Sequence, residues 1–484
     1  MSALEKYETI LIKNGILLTM TGKGVGSIQD GAVAIEGQEI AAVGKTSEIT
    51  KKYNKPEHTI DASGKAVLPG FVDGHIHTGL SLARGLAQDV PEIEWMLKTM
   101  APYATHYTPE YSIIGSRLGV LEALKAGTTT FGEIGSNMGH LADKVFIPTG
   151  VRANLANTIN QIGPGSRPDP MKLYTFFEDI GERKLKEGIE LVERYDGAGD
   201  GRVSCILAPH GADMMSKELL LTVKEKAEEI GKLVHLHVAQ GGREEMQMKM
   251  RYGLSTVRFL DCIGYLDDGL IAAHCHQTTD YEVALLAERE VRYASCPASI
   301  GGIDGITPPL GLFLASGGRL ATIGTDQAPG NGHHNMLVEM KVAALLNKTR
   351  HRDPTVLPAW KTLRLATVEG AYAIGLGDKI GSLEPGKKAD VILLDLRAPH
   401  MTPVIGYPMN NVAPNIVYSA RGDEVTDVII NGSIVVENKT VKTLNEEEVI
   451  KDAQHAATEI ANKAAQTFLG GDGWLAREVK KGYY

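Results

Sequence analysis

Between residues 68 and 326 eight short apolar runs recur, separated by longer amphipathic stretches. They begin near Leu68 to His75 and continue at Gly127-Thr-Thr-Thr-Phe-Gly-Glu, Arg152-Ala-Asn-Leu-Ala and Val203-Ser-Cys-Ile-Leu-Ala-Pro-His. Leu233-Val-His-Leu-His-Val, Leu270-Ile-Ala-Ala-His, Val291-Arg-Tyr-Ala-Ser-Cys-Pro and Leu320-Ala-Thr-Ile-Gly-Thr-Asp complete the series. Near-continuous apolar strands are what a parallel sheet buried on both faces requires. Helical patterns lie between them, as over 111–126, 217–231 and 281–289. Eight strand–helix repeats predict an α/β chain folded as a (β/α)8 TIM barrel.

The 484 residues exceed what such a barrel needs. Residues 7–67 read as short strands (Thr9-Ile-Leu-Ile, Ile16-Leu-Leu-Thr, Gly31 to Glu36, Glu39 to Val43), with Asn14-Gly15 and Glu36-Gly37 as turns between them. Strand patterns return within 381–395 and 425–436, after helices at 360–374. They are expected to pair with the first strands, giving a small β-sandwich domain built from both chain ends. The organisation is then 1–67 and 381–440 for that domain, 68–380 for the barrel, and 441–484 for a tail that is helical over 444–468.

In this architecture the chemistry sits at the C-terminal ends of the strands. The first run ends in His75-Ile-His77, and positions i and i+2 of a strand face the same way. The later runs end in His210, in His235 and His237, in His274 with His276 beyond it, and in Asp326. One such histidine is ordinary; imidazoles and a carboxylate closing several strands of one barrel are the donor types of a divalent-metal site.

The net charge of -9 and the lack of any basic cluster argue against a nucleic-acid surface. Four scattered cysteines read as reduced thiols. The first residues have no basic start with an apolar core, and no run of about 18 apolar residues occurs. The expectation is a cytoplasmic protein with no membrane partner.

Several segments resemble the amidohydrolase superfamily, in the branch of methylthioadenosine/adenosylhomocysteine deaminases, guanine deaminases and triazine hydrolases. They are Pro69-Gly-Phe-Val-Asp-Gly-His-Ile-His, Ala83 to Trp95, Ala126-Gly-Thr-Thr-Thr-Phe, His235-Leu-His-Val-Ala, Ala273-His-Cys, Gly324-Thr-Asp and Gly381-Ser-Leu-Glu-Pro-Gly-Lys-Lys-Ala-Asp-Val. The resemblance implies one divalent ion, zinc by default with iron, cobalt or manganese as alternatives, held by His75, His77, His237 and Asp326. It further implies Asp326 as general base and His274 beside the activated water, polarising it or binding the ion. His210, Trp95 and Arg84 would line the substrate pocket, and His235 matches a non-ligand core position. A homo-oligomer, dimer or tetramer, is also implied. The activity implied is hydrolysis of a carbon–nitrogen bond in a small heterocyclic substrate.

Two positions depart from that branch. Gln240 stands where a proton-shuttling Glu is usual, and an amide side chain only holds hydrogen bonds. Glu244, Glu245 and the pair His333-His334 are the nearby proton carriers, with His333 the candidate to touch substrate. In Cys296-Pro-Ala-Ser-Ile-Gly-Gly, Ser299 is kept as a substrate contact but Ile300 replaces a polar residue. The expected substrate is therefore a compact heterocycle such as a triazine, pyrimidine or purine base rather than an adenosine-type nucleoside. Release of halide or thiol, or cleavage of an amide- or urea-like bond, is the alternative at the same site. A scaffold without chemistry is disfavoured by His75, His77, His237, His274 and Asp326 together.

Overall fold

The structure, a computed structural model, describes residues 6–163, 169 and 171–484. The expectation of no leader rests partly on residues 1–5, which lie outside the described residues. The strands in chain order are β1 (Thr9–Leu18), β2 (Ser27–Glu36), β3 (Glu39–Lys45), β4 (His58–Asp61), β5 (Lys65–Pro69), β6 (Phe71–Ile76), β7 (Thr128–Gly135), β8 (Arg152–Ile159) and β9 (Val203–Cys205). They continue with β10 (Ala208–Pro209), β11 (Val234–Val238), β12 (Leu270–His274), β13 (Arg292–Ser295), β14 (Ala321–Ile323), β15 (Val391–Asp395), β16 (Val425–Ile430), β17 (Ser433–Glu437) and β18 (Thr440–Val441).

The parallel ladder runs β6–β7–β8, then β9 and β10, which are two pieces of one strand beside β8. A second parallel ladder runs β11–β12–β13–β14. Bridges join them into a ring: Leu207 to Val234 and Gly211 to His237 on one side, Ile76 to Asp326 on the other. The result is the expected eight-stranded barrel. Its strands are buried on both faces because Ile134, Ala156, Ile206, Ala208, Ile271, Ala273 and Ala294 fill the inside, while the crossing helices cover the outside.

Helices Pro109–Lys125, Lys217–Glu229 and Asp280–Glu288 fall where the pattern placed them. Their starts are fixed by side chains: Thr108, Ser216 and Thr279 each accept a backbone N–H of the first turn. At Thr279 the capping box with Glu282 is complete.

The other sheet has nine strands, in the order β18–β17–β16–β15–β5–β1–β2–β3, with β4 beside β1. β15 runs antiparallel to β5, pairing Val391 with Pro69, so the two chain ends do share this domain. One turn reading fails. Asn14-Gly15 does not separate two strands; β1 runs through it, with a register shift between Ile12 and Gly15 and Asn14 at φ 67°. The extra residue makes a bulge, and the bent strand pairs with β4 before it and β5 after it. The barrel is tied to this domain by a buried two-pronged pair, Arg152 Nε to Asp390 Oδ2 at 2.7 Å and Nη2 to Oδ1 at 3.0 Å. No helix among the described residues is long and apolar enough to cross a membrane.

Candidate metal centre and its cavity

The barrel is closed next to the site. Asp326 N–H donates to His75 O at 2.8 Å and His77 N–H donates to Asp326 O at 3.1 Å. Strand ends this close leave no room at residue 324: a Cβ on Gly324 would lie 2.6 Å from His75 O. Beneath them Asp73 accepts from Thr325 N at 3.0 Å and Thr325 Oγ1 at 2.6 Å. The closure places the Asp326 carboxylate 3.7 Å from His75 Nε2 and 3.4 Å from His77 Nε2. Asp326, His274 and Ala239 all have positive φ, of 59°, 74° and 48°. Such strain in non-glycine residues gathers at functional sites.

The imidazoles of His75, His77 and His237 are each oriented by the far nitrogen. His77 Nδ1–H donates to Ile134 O and His237 Nδ1–H to His210 O, both at 2.6 Å. A carbonyl only accepts, so both rings carry their lone pair on Nε2, and these Nε2 atoms lie 3.5 Å apart. His75 Nδ1 is 3.1 Å from His235 Nε2, while His75 Nε2 is buried with no hydrogen-bond partner among the described residues. The donor atoms of His75, His77 and His237 fall within 4.8 Å of one another. His274 stacks on His237 with ring centroids 5.3 Å apart, and its buried Nδ1 likewise has no partner among the described residues. Burial holds His75 and His237 well below the ordinary imidazole range and lowers His274 to about 3, so these rings are neutral, as metal ligation requires. Ser299 Oγ donates to Asp326 Oδ2 at 2.5 Å, fixing the carboxylate from behind. Cys296 also approaches His75 and His274, but burial pushes its thiol well above the ordinary range, which disfavours the thiolate a metal would need.

The residues fit a divalent ion: three Nε2 lone pairs and one carboxylate oxygen converge, and the innermost nitrogen is otherwise unsatisfied. Above the cluster a cavity of about 560 Å³ is lined by His77, His237, His274 and Asp326 at its floor, and by His210, Trp95 and Gln240 on its walls. Burial lowers His210 to about 3, so it too is neutral.

Arg84 and His333 are not brought to this lining. The Arg84 guanidinium pairs with Glu122. His333 Nδ1 accepts Asn335 N–H at 3.1 Å, and its Nε2 faces Glu339 at 3.7 Å. The other proton-carrying candidates are also occupied. Glu244 accepts the N–H groups of Ala239 at 3.0 Å and Gln240 at 2.9 Å, Glu245 accepts from Thr256 N, and His334 lies between Ser81 and Thr325. Ser299 reaches Asp326 rather than the cavity wall. Wall residues that sequence reasoning passed over are Glu92, Arg243 and Asp304. Glu92 lies inside the segment Ala83 to Trp95 that resembles relatives, and Arg243 is three residues past Gln240. Asp304, at the end of the glycine-containing helix Pro297–Ile303, gave no signal.

The Amidohydrolase family model matches residues 66–435. The chain is 36% identical over 440 residues to the 5-methylthioadenosine/S-adenosylhomocysteine deaminase of Moorella thermoacetica, covering 91% of this chain and 97% of that protein. It is 35% identical over 455 residues to the 5'-deoxyadenosine deaminase of Methanosarcina acetivorans, covering 94% and 99%. Among solved structures, an adenosine deaminase from Xanthomonas campestris with bound zinc matches with a TM-score of 0.85 at 28% identity, over 94% of this chain and 98% of that one. An atrazine chlorohydrolase from Arthrobacter aurescens, complexed with zinc, shares the fold with a TM-score of 0.78 at 22% identity, over 93% and 100%.

Proposed function

The chain belongs to the amidohydrolase family, and from that membership we propose a metal-dependent hydrolase that replaces an amino group on a ring carbon of a small N-heterocycle with oxygen from water. The product nitrogen is ammonia or an amine. The observation that carries the reading is the gathering of the ring nitrogens of His75, His77 and His237 within 4.8 Å of one another, with the Asp326 carboxylate 3.7 Å from His75 Nε2 and 3.4 Å from His77 Nε2.

These four residues would hold the ion. Imidazole with carboxylate suits zinc, the metal of the Xanthomonas structure. A bound divalent ion supplies acidified water, with a pKa of about 7 against about 15.7 in bulk. Asp326 takes the proton of the attacking water and is kept in line by Ser299. His274 hydrogen-bonds the charge that develops on the incoming oxygen. His210, Trp95 and Gln240 bound the ring.

Names of the relatives bring adenine nucleosides forward as substrates beside bare triazines, pyrimidines and purines. The cavity volume falls in the range of ordinary small-ligand sites. The test is a panel of 5'-deoxyadenosine, methylthioadenosine, adenine, aminopyrimidines and amino- and chlorotriazines, given to metal-loaded protein and assayed for ammonia, amine and chloride. Ammonia or amine release is expected. Silence across the panel, with about one ion bound per chain, would overturn the reading. Gln240 favours one second reading, departure of halide or thiol without a proton, and chloride release alone would select it.

A further inference from the structure

Addition of water to an amidine carbon drives an electron pair onto the adjacent ring nitrogen, which then needs a proton. Gln240 has none to give at neutral pH. Four carboxylates line the cavity: Glu92, Glu133, Asp304 and Asp326. Asp326 is committed at the metal cluster. Glu133 is 1% exposed, and both its oxygens accept Thr78 N–H at 3.0 Å. Asp304 is paired with His276 Nε2 at 2.7 Å.

Glu92 differs from these. Its side chain keeps 12% exposure, and among the described residues its oxygens accept only long bonds, 3.2 Å from Arg243 Nε and 3.3 Å from Arg243 N. The Arg243 guanidinium makes a closer pair with buried Asp213. Gly241 leaves room for Glu92 where it stands. Its backbone is extended, at φ 175°, which any residue adopts, yet a Cβ there would lie 2.5 Å from Glu92 Cδ and Oε2. The residue after Gln240 thus gives up its side-chain space to the Glu92 carboxylate, which sits in the wall at Gln240's side.

We infer that Glu92 hydrogen-bonds the ring nitrogen of an amino-heterocycle and carries the proton that position 240 lacks. The inference rests on the function proposed above. Starting as the acid, Glu92 gives its proton to the ring nitrogen as the water oxygen bonds to carbon. It regains a proton from the added hydroxyl as the C=O forms. Asp326 passes the proton of the attacking water to the exocyclic nitrogen, and the electron pair of the breaking C–N bond leaves with ammonia. The protons lost by water equal those gained by the two nitrogens.

The test uses the full-length, metal-loaded protein. In calorimetric titration 2,4-diaminopyrimidine should bind the wild type, and Glu92→Gln should weaken it about tenfold or more. Gly241→Ala, which displaces Glu92 without altering it, should do the same. On whichever panel compound loses ammonia, Glu92→Gln should lower kcat about 100-fold or more, and Gln240→Glu added to it should restore part of that loss, which a structural defect would not allow. Binding to Glu92→Gln within threefold of wild type, no binding to wild type, or undiminished kcat would each overturn the assignment. A silent panel with the binding difference intact would fault the catalytic reading instead.

Discussion

His235 stands directly behind His75, its Nε2 3.1 Å from His75 Nδ1 in a buried pair. With His75 as donor, the opposite face of that ring offers its Nε2 lone pair to the centre of the cluster. Burial lowers His235 to about 3, which keeps it neutral and able to accept. Partners of this kind set ligand tautomer and basicity. His235→Phe keeps the ring volume and removes the acceptor. Metal affinity, read by chelator competition, should fall about 10- to 100-fold while the fold stays intact. An unchanged affinity would show that His75 needs no such support.

Asp326→Asn tests the base. Asn is among the residues that best tolerate the left-handed backbone at φ 59°, so the closure between β6 and β14 should survive. Turnover should fall about 100-fold or more, with circular dichroism unchanged. Activity retained within tenfold would move the proton-accepting role elsewhere.

The barrel was legible because its signal is repeated: eight apolar runs read as eight strands, and the histidines at their ends could be counted. The candidate ligands were legible for the same reason, since strand ends of one barrel must converge. The wall was not. Glu92 opens a short helical segment whose position depends on packing, and Asp304 caps the end of the short, glycine-containing helix Pro297–Ile303. His333-His334 looked like proton carriers because they follow Asp326 closely, but the intervening turn at 328–331 carries them behind the strand end to Glu339, Ser81 and Thr325. Asn14-Gly15 misled because a bulge and a turn use the same residue types.

Glu339 makes a pH dependence testable. Its carboxyl is fully buried, accepts Ala298 N–H at 2.8 Å and Asn331 Nδ2 at 3.1 Å, and is raised by burial to about 8. The folded state therefore binds a proton that the unfolded chain releases near pH 4.5. This contribution is fully present below that pH and is lost as pH rises toward 8. Urea unfolding across pH 5 to 8 should show a falling contribution that Glu339→Gln removes. An identical slope in the variant would refute it.

The C-terminal segment bears on the cavity from outside. Helix Glu446–Gly470 packs Ala453, Ala456 and Ile460 against Leu82, Ala83, Met100 and Tyr103, at the two ends of the loop that carries Glu92 and Trp95. Beyond it, Trp474 N–H donates to Glu94, Asp472 pairs with Lys98 at 3.0 Å and Tyr484 Oη donates to Asp89 at 2.9 Å. The last two contacts are exposed and individually weak, the first is partly buried, and all three fall on residues 89–98. Deleting 471–484 leaves the helix Glu446–Gly470 in place and removes these contacts together with the buried side chains of Leu475 and Ala476. The truncated protein should keep its metal content, lose some thermal stability with the buried Leu475 and Ala476, show a several-fold higher KM, and be cut more rapidly by protease between Arg84 and Lys98. Equal KM and equal cleavage would mean that the tail merely rests on the loop.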